Sequence, residues 1–161
     1  MHIINIKNKK EALKALACFK GREQKGVEIK LVNVHLCKIN KLTNNTIFSK
    51  NDLFVNGETL FDIMHPVGGY GRHNHHGLSE EMVLEVLNNA YQPIGLYMAN
   101  SNRFVIATVV VNNTGENIIL VIEKGAQLRN NRDANINKLI TIYPRRNILE
   151  IIVHKKGKII K

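Results

Sequence analysis

Between Lys10 and Lys20 the apolar residues Ala12, Leu13, Leu16, Ala17 and Phe19 recur at spacings that form one face of a short helix, and Gly21 ends it. From Val27 to Ile39 the period falls to two, first as Val27, Ile29 and Leu31, then as Val32, Val34 and Leu36. The change of phase at Leu31-Val32 predicts either one bulged strand or two short ones. Lys41 to Lys50 is polar, carries Asn44-Asn45, and reads as a connection. Leu53 to Met64 is short and apolar with the turn pair Asn56-Gly57, and it leads into a long glycine- and histidine-bearing loop, His65 to Gly77. Ser79 then offers a helix N-cap, Glu80 and Glu81 suit the positive end of the dipole, and Val83, Val86, Leu87 and Ala90 form an apolar stripe.

After Gln92-Pro93, strand-like runs appear at Ile94–Met98, Phe104–Val111 and Asn117–Glu123. Asn100-Ser101-Asn102 and Asn112-Asn113-Thr114-Gly115 separate them, as in an antiparallel meander. A polar stretch through Arg129, Asn130, Asn131 and Arg132 precedes a fourth run, Lys138–Tyr143, and Ile148–Val153 reads as a fifth. The predicted class is α+β: a helix packed on an antiparallel four- to five-stranded sheet (residues 51–154), preceded by a basic extension of a helix and strands (1–50) and followed by a basic tail (155–161). With 161 residues the chain is the size of one domain.

Charge changes the picture more than hydropathy does. Residues 1–50 hold 11 Lys and Arg against 3 Asp and Glu, residues 51–123 hold 2 against 8, and residues 124–161 hold 10 against 2. Two basic ends around an acidic middle point to a polyanionic partner, with RNA the expected one. No apolar run approaches the roughly 18 residues of a membrane span. The N-terminus lacks the order of a secretory signal, so a cytoplasmic location is expected. Cys18 and Cys37 have neither metal-knuckle spacing nor the number for a disulfide framework, and suit a reducing compartment.

Two constellations could carry chemistry. The first is Arg72, His73, His75 and His76 in the loop before the Ser79 helix. Paired imidazoles there suit a metal; a single imidazole, titrating near neutral pH, suits proton transfer; polar side chains of a surface loop are the plain reading. The second is the segment Lys138 to Arg146. In a strand, Ile140 and Ile142 face the core while Thr141, Tyr143 and Arg145 line the other face, where hydroxyl and guanidinium donors suit a phosphate. Strand propensity alone also accounts for Thr141 and Tyr143. Gly68-Gly69-Tyr70-Gly71 lacks the strand, the helix and the Lys-Ser/Thr ending of a phosphate-binding loop.

The order of a basic-His segment, the helix Ser79–Ala90, the phrase Tyr91-Gln92-Pro93-Ile94, a meander and then Asn135-Ile136-Asn137-Lys138-Leu139-Ile140-Thr141-Ile142-Tyr143-Pro144 resembles the phage MuF C-terminal nuclease domains. Those belong to the barnase–EndoU–colicin–RelE (BECR) group of metal-independent ribonucleases. The resemblance spans about Asp52 to Val153. It implies a toxin-type endoribonuclease of phage or mobile-element association, cleaving RNA by 2′-hydroxyl attack to a cyclic phosphate. It assigns the acid–base role to His75 or His76, a phosphate contact to Arg72, and the strand hydroxyls to Thr141 and Tyr143. Arg145 is added on physical grounds, and the neighbouring His73 and Arg146 are grouped with the phosphate contacts. No metal or other cofactor is implied. The implied partners are RNA as substrate and an acidic immunity protein, with delivery by a phage or a larger polypeptide. One departure from the family's adjacent basic-His pair is that Arg72-His73 is followed by Asn74 and a second pair, His75-His76, so the resemblance does not choose between histidines. A non-catalytic nucleic-acid-binding module and a phage structural or partner-binding protein are the alternatives.

Overall fold

A computed structural model describes residues 1–65, 76–128 and 131–160, with backbone only at 128 and 131–134. In chain order the elements are β1 (His2–Asn5), α1 (Lys9–Lys20), β2 (Glu28–Val32), α2 (Lys38–Thr43), β3 (Leu53–Asn56), α3 (Gly57–Met64), α4 (Glu80–Asn89), β4 (Gly95–Met98), β5 (Arg103–Val111), β6 (Asn117–Leu128), β7 (Asn131–Arg145), α5 (Ile148–His154) and β8 (Lys158–Ile159). The strands form one sheet in the order β1-β2-β3-β7-β6-β5-β4-β8.

The α+β class is observed, but the sheet is not the antiparallel four- to five-stranded one expected. Among the described residues it has eight strands and is mixed, with β1 parallel to β2 and β3 parallel to β7. The expected meander is present as β4 to β7, all antiparallel neighbours. The additional strands are β1 and β2 from the basic N-terminal residues, β3 from the segment that leads into α3, and β8 from the C-terminal end. β2 joins β3 through Ile29↔Val55 and Leu31↔Leu53, and β3 joins β7 through Leu53↔Asn137 and Phe54↔Lys138. Alternation along a strand reveals which side chains share a face and is silent on which strand lies alongside.

One face of the sheet carries the main core. Ile29, Leu31, Leu53, Leu120, Ile122, Leu139 and Ile142 bury there against Leu16 of α1, Leu60 and Ile63 of α3, and Val83, Val86 and Leu87 of α4. Each such side chain contributes about 1.5–3 kcal/mol by leaving water. The expected N-cap of α4 is in place, with Ser79 Oγ accepting from the Met82 amide at 3.1 Å. Asn8 caps α1 in the same manner, accepting from Glu11 N at 3.3 Å.

The expected strand Ile148–Val153 is instead the helix α5. Asn147 sits at φ 53°, in the left-handed region, and breaks the extended chain after β7. The isoleucines then bury on a helical spacing, Ile148 and Ile152, while Leu149 and Val153 stay exposed. Helix α5 covers part of the second face of the sheet, packing on Tyr97, Val105, Ala107 and Ile119. The C-terminal residues expected to form a fraying tail turn back at Gly157, and β8 pairs with β4 through Gly95↔Ile159.

The strand run expected through Leu36 ends at Val32. Positive φ at Asn33 (68°) and His35 (60°) folds the chain into a turn that still buries Val34 and Leu36. Asn56-Gly57 is a strand-to-helix junction: β3 runs directly into α3, and the Gly57 amide donates to Val27 O at 2.9 Å.

Candidate functional site

Strand β7 sets the geometry. Its register with β6 is unbroken from Thr141↔Val121 to Arg145↔Asn117, so Thr141, Tyr143 and Arg145 share the face opposite Ile142, as alternation predicts. Ile140 does not face the core with Ile142. Val121 pairs with Thr141 and Ile122 with Leu139, which leaves Ile140 as the extra residue of a bulge and gives its core position to Leu139.

His76 reaches this strand from the loop between α3 and α4. Its amide donates to Asp62 O at 3.0 Å, the Gly77 amide to His65 O at 3.0 Å and the Leu78 amide to Ile63 O at 3.0 Å, so the segment is tied to the end of α3. Gly77 has φ 65° and supplies the backbone turn between them. Leu78 then enters the core and Ser79 starts α4. Held at both ends in this way, the imidazole of His76 stacks on the Tyr143 phenol, with ring centroids 5.2 Å apart and planes at 25°. Arg145 Nη1 donates to Tyr143 Oη at 3.2 Å. The loop histidine, the strand phenol and the strand guanidinium therefore form one contiguous chain. Thr141 lies two residues from Tyr143 on the same face, about 7 Å along the strand.

Arg146, grouped with Arg145 by sequence, points away from this cluster. Its Nε lies 3.4 Å from Glu116 Oε2, and its side chain is 79% exposed. Arg72, His73 and His75 lie outside the described residues. Glu80 has a structural role beyond its place in the first turn of α4, since Oε1 lies 3.0 Å from Lys20 Nζ and links α4 to α1.

Residues of the β5–β6 turn carry no functional sequence signal of their own and line a groove that adjoins His76. His76, Gly77, Ser79 and Met82 on one side and Asn112, Asn113, Thr114 and Pro144 on the other line an open groove of about 410 Å³. The turn is internally bonded. Asn112 Oδ1 accepts from the amides of Thr114 (3.1 Å) and Glu116 (2.9 Å), while Glu116 Oε1 accepts from Asn112 Nδ2 (3.1 Å) and Thr114 Oγ1 (2.8 Å). Those two side-chain hydrogen bonds, led by Asn112, hold the Glu116 carboxyl below the usual glutamate range; burial opposes them and Arg146 adds to them.

Chemically, the cluster offers an imidazole able to exchange a proton and a phenol oxygen already polarised by a guanidinium. Arg145 has five N–H donors in all, so one bond to Tyr143 leaves others for an anion. Among the described residues no group of three or more His, Cys, Asp and Glu side chains is arranged to hold a metal ion. No helix among them is long and apolar enough to cross a membrane. Comparison of the chain with family models, curated proteins and solved structures finds no match.

Proposed function

We propose that this protein is a metal-independent endoribonuclease of toxin type, with His76, Tyr143 and Arg145 at its centre and Thr141 beside them. One observation carries the reading: a loop histidine and a strand phenol 67 positions apart in sequence are in ring contact, with an arginine on the phenol oxygen. A buried stacking pair would need no such arginine, and a plain surface histidine would need no such anchoring at the end of α3.

In the proposed reaction His76 takes the proton from an RNA 2′-hydroxyl as O2′ bonds to the adjacent phosphorus. The P–O5′ bond then breaks, and the imidazolium returns the proton to the departing O5′. The products are a 2′,3′-cyclic phosphate and a free 5′-hydroxyl, with no net change in protons. Arg145 and the hydroxyls of Tyr143 and Thr141 stabilise the charge that gathers on the phosphorane oxygens. By the family resemblance Arg72 adds a further phosphate contact, and His75 is the alternative to His76 as the acid–base histidine. Phage or mobile-element association and an acidic immunity partner belong to the same proposal.

The test is incubation of the protein with labelled RNA in excess EDTA beside a His76→Ala variant of confirmed fold. Cyclic-phosphate ends from the wild type, reduced about 10²–10⁴-fold in the variant, are expected. Equal cleavage by both would remove His76 from the mechanism, and cleavage by neither would remove the nuclease.

A second reading, a nucleic-acid-binding module without catalysis, draws on a different place. Lys7 Nζ and Lys38 Nζ lie 5.4 and 4.9 Å from the centroid of the Tyr91 ring, with His35 edge-on to it. An aromatic ring set among cations suits a nucleic-acid strand. Salt-sensitive RNA binding without cleavage would favour it.

A further inference from the structure

The second face of the sheet is only partly covered. Helix α5 packs over Tyr97, Val105, Ala107 and Ile119, and among the described residues no helix packs over the part built from β2, β3 and the first half of β7. Because Leu139 and Ile142 both face the core and Ile140 is bulged, Lys138 and Thr141 fall on this same second face. Lys138, Thr141, Tyr143 and Arg145 thus form a line along β7. One end of the line is the His76–Tyr143–Arg145 cluster. The other end, about 16 Å away at the rise of a strand, opens into a cavity of about 290 Å³ lined by Gly26, Glu28, Phe54, Asn56, Glu58 and Lys138.

The chemistry of this cavity differs from that of the cluster. Phe54 is half-buried and offers an aromatic wall, with Lys30 Nζ 5.8 Å from its centroid. Glu28 and Glu58 offer carboxylate acceptors, and among the described residues neither is in an ion pair. The neighbouring carboxylates are engaged: Asp52 lies 3.5 Å from Lys30, and Glu123 lies 3.1 Å from Arg103. Two carboxylates repel a phosphate, so the cavity does not suit the backbone of a nucleic acid. They suit a flat ring with N–H donors on its edge. We propose that this cavity is a base-recognition subsite for a nucleobase bearing an exocyclic amino group, stacked on Phe54 and donating to Glu28 and Glu58.

The exclusion follows from the same chemistry. Adenine, cytosine and guanine each present an exocyclic amino group to an acceptor. Uracil presents one ring N–H flanked by two carbonyl oxygens, which would face the carboxylates acceptor to acceptor. Asn56, Gln127 and Lys138 also line the cavity and carry donors, so the discrimination rests on Glu28 and Glu58: uracil is disfavoured against the amino-bearing bases where its carbonyl oxygens meet the two carboxylates. Lys138 stands between the subsite and Thr141, where it meets the backbone phosphate of a strand running toward Tyr143. This inference deepens the ribonuclease reading and rests on it for the direction of the strand: the substrate is single-stranded RNA laid along β7, with an amino-bearing base a few nucleotides from the scissile phosphate.

The experiment titrates the isotope-labelled full-length protein with AMP, CMP, GMP and UMP, using inorganic phosphate as a control, and follows backbone amides by NMR. The three amino-bearing nucleotides should shift Glu28, Phe54, Asn56 and Lys138, with UMP weaker by about tenfold or more, the scale of one well-made edge contact. Glu28→Gln/Glu58→Gln, which places amide donors where acceptors stood, should bring UMP within about threefold of the others, and Phe54→Leu should weaken all four. Four nucleotides behaving alike in the wild type, or shifts absent from these residues, would overturn the subsite. RNA cleavage is read separately: a protein that discriminates bases but leaves RNA intact keeps the subsite and loses the nuclease, and one that cleaves RNA without discrimination does the reverse.

Discussion

The imidazole of His76 lies over the phenol of Tyr143 with 5.2 Å between ring centroids, and the Tyr143 oxygen accepts a hydrogen bond from Arg145. In the proposed reaction the tyrosine therefore has two separable roles, a ring that positions the histidine and a hydroxyl that stabilises the phosphorane. Tyr143→Phe keeps the first and removes the second. It should leave thermal stability within about 1 kcal/mol, the scale of one hydrogen bond, and lower RNA cleavage about tenfold or more, the scale of a lost oxyanion donor. Tyr143→Ala removes both and should approach the loss seen in His76→Ala. Single-turnover cleavage of labelled RNA checks the order. A Tyr143→Phe protein as active as the wild type would confine the residue to positioning.

Asn147 decides that the chain leaves β7 as a helix. At φ 53° and ψ 38° a residue with a Cβ is strained, and asparagine tolerates that region better than most. Asn147→Ala should destabilise the protein by about 1 kcal/mol, whereas Asn147→Gly should remain within about 0.5 kcal/mol of the wild type. Urea midpoints of the two variants, at an unchanged m-value, give the comparison. Equal loss in both would mean that the asparagine side chain, rather than its backbone conformation, holds the junction.

Much of the fold was readable where punctuation is local. Ser79 with two glutamates after it marks the start of α4, and the asparagine-rich turns at residues 100–102 and 112–115 separate β4, β5 and β6 where the sequence pattern places them. Ile148–Val153 was ambiguous because a short isoleucine-rich run fits either period, and only Asn147 at its head signals the change. The joining of β1 and β2 to the sheet through β3 had no local sign, since a parallel pairing such as Leu53↔Asn137 spans 84 residues. In the site, alternation reveals that Thr141, Tyr143 and Arg145 share a face. Arg146 joins them only by proximity in sequence, since one residue further along a strand is the opposite face. Asn112 to Thr114 enter the groove only because β5, β6 and β7 bring their turn beside Pro144, a relationship made entirely by tertiary structure.

Gly157 allows the C-terminal end to close on the sheet. A Cβ at this position would fall 2.6 Å from Tyr97 Cβ and 3.0 Å from Ile152 Cγ2, and would also collide with the carbonyl oxygen of Leu96. Two of those atoms belong to β4 and one to α5, so the substitution forces apart the elements between which the chain passes. Gly157→Ala should cost about 1–3 kcal/mol and lower Tm by roughly 3–10 °C, with hydrogen-exchange protection lost first at Ile160, whose amide donates to Ile94 O at 2.8 Å. Gly115→Ala is the control for strain without collision, since φ is 79° there and no atom lies within 4 Å of the added Cβ. A larger loss at Gly115 than at Gly157 would contradict the steric account.

The Glu116 carboxyl connects the groove to pH. It is held below the ordinary glutamate range, first by the Asn112 hydrogen bond, then by Thr114, with burial opposing and Arg146 contributing after these. A carboxyl with a depressed folded-state value adds stability that is present above its unfolded value and is lost as pH falls through the folded one. Stability should therefore decline on acidification through the range below the normal glutamate titration, and Glu116→Gln should flatten that part of the profile. Because Asn112 is the leading cause, Asn112→Ala should raise the Glu116 titration midpoint further than Arg146→Gln does, as followed by the side-chain carboxyl resonance. Protonation also weakens the hold on Arg146, 3.4 Å away, and frees its exposed guanidinium for a phosphate. RNA affinity at low pH should thus rise more in the wild type than in Arg146→Gln. A midpoint that moves more with Arg146→Gln than with Asn112→Ala would show the ion pair, and not the turn, to be what holds the carboxylate.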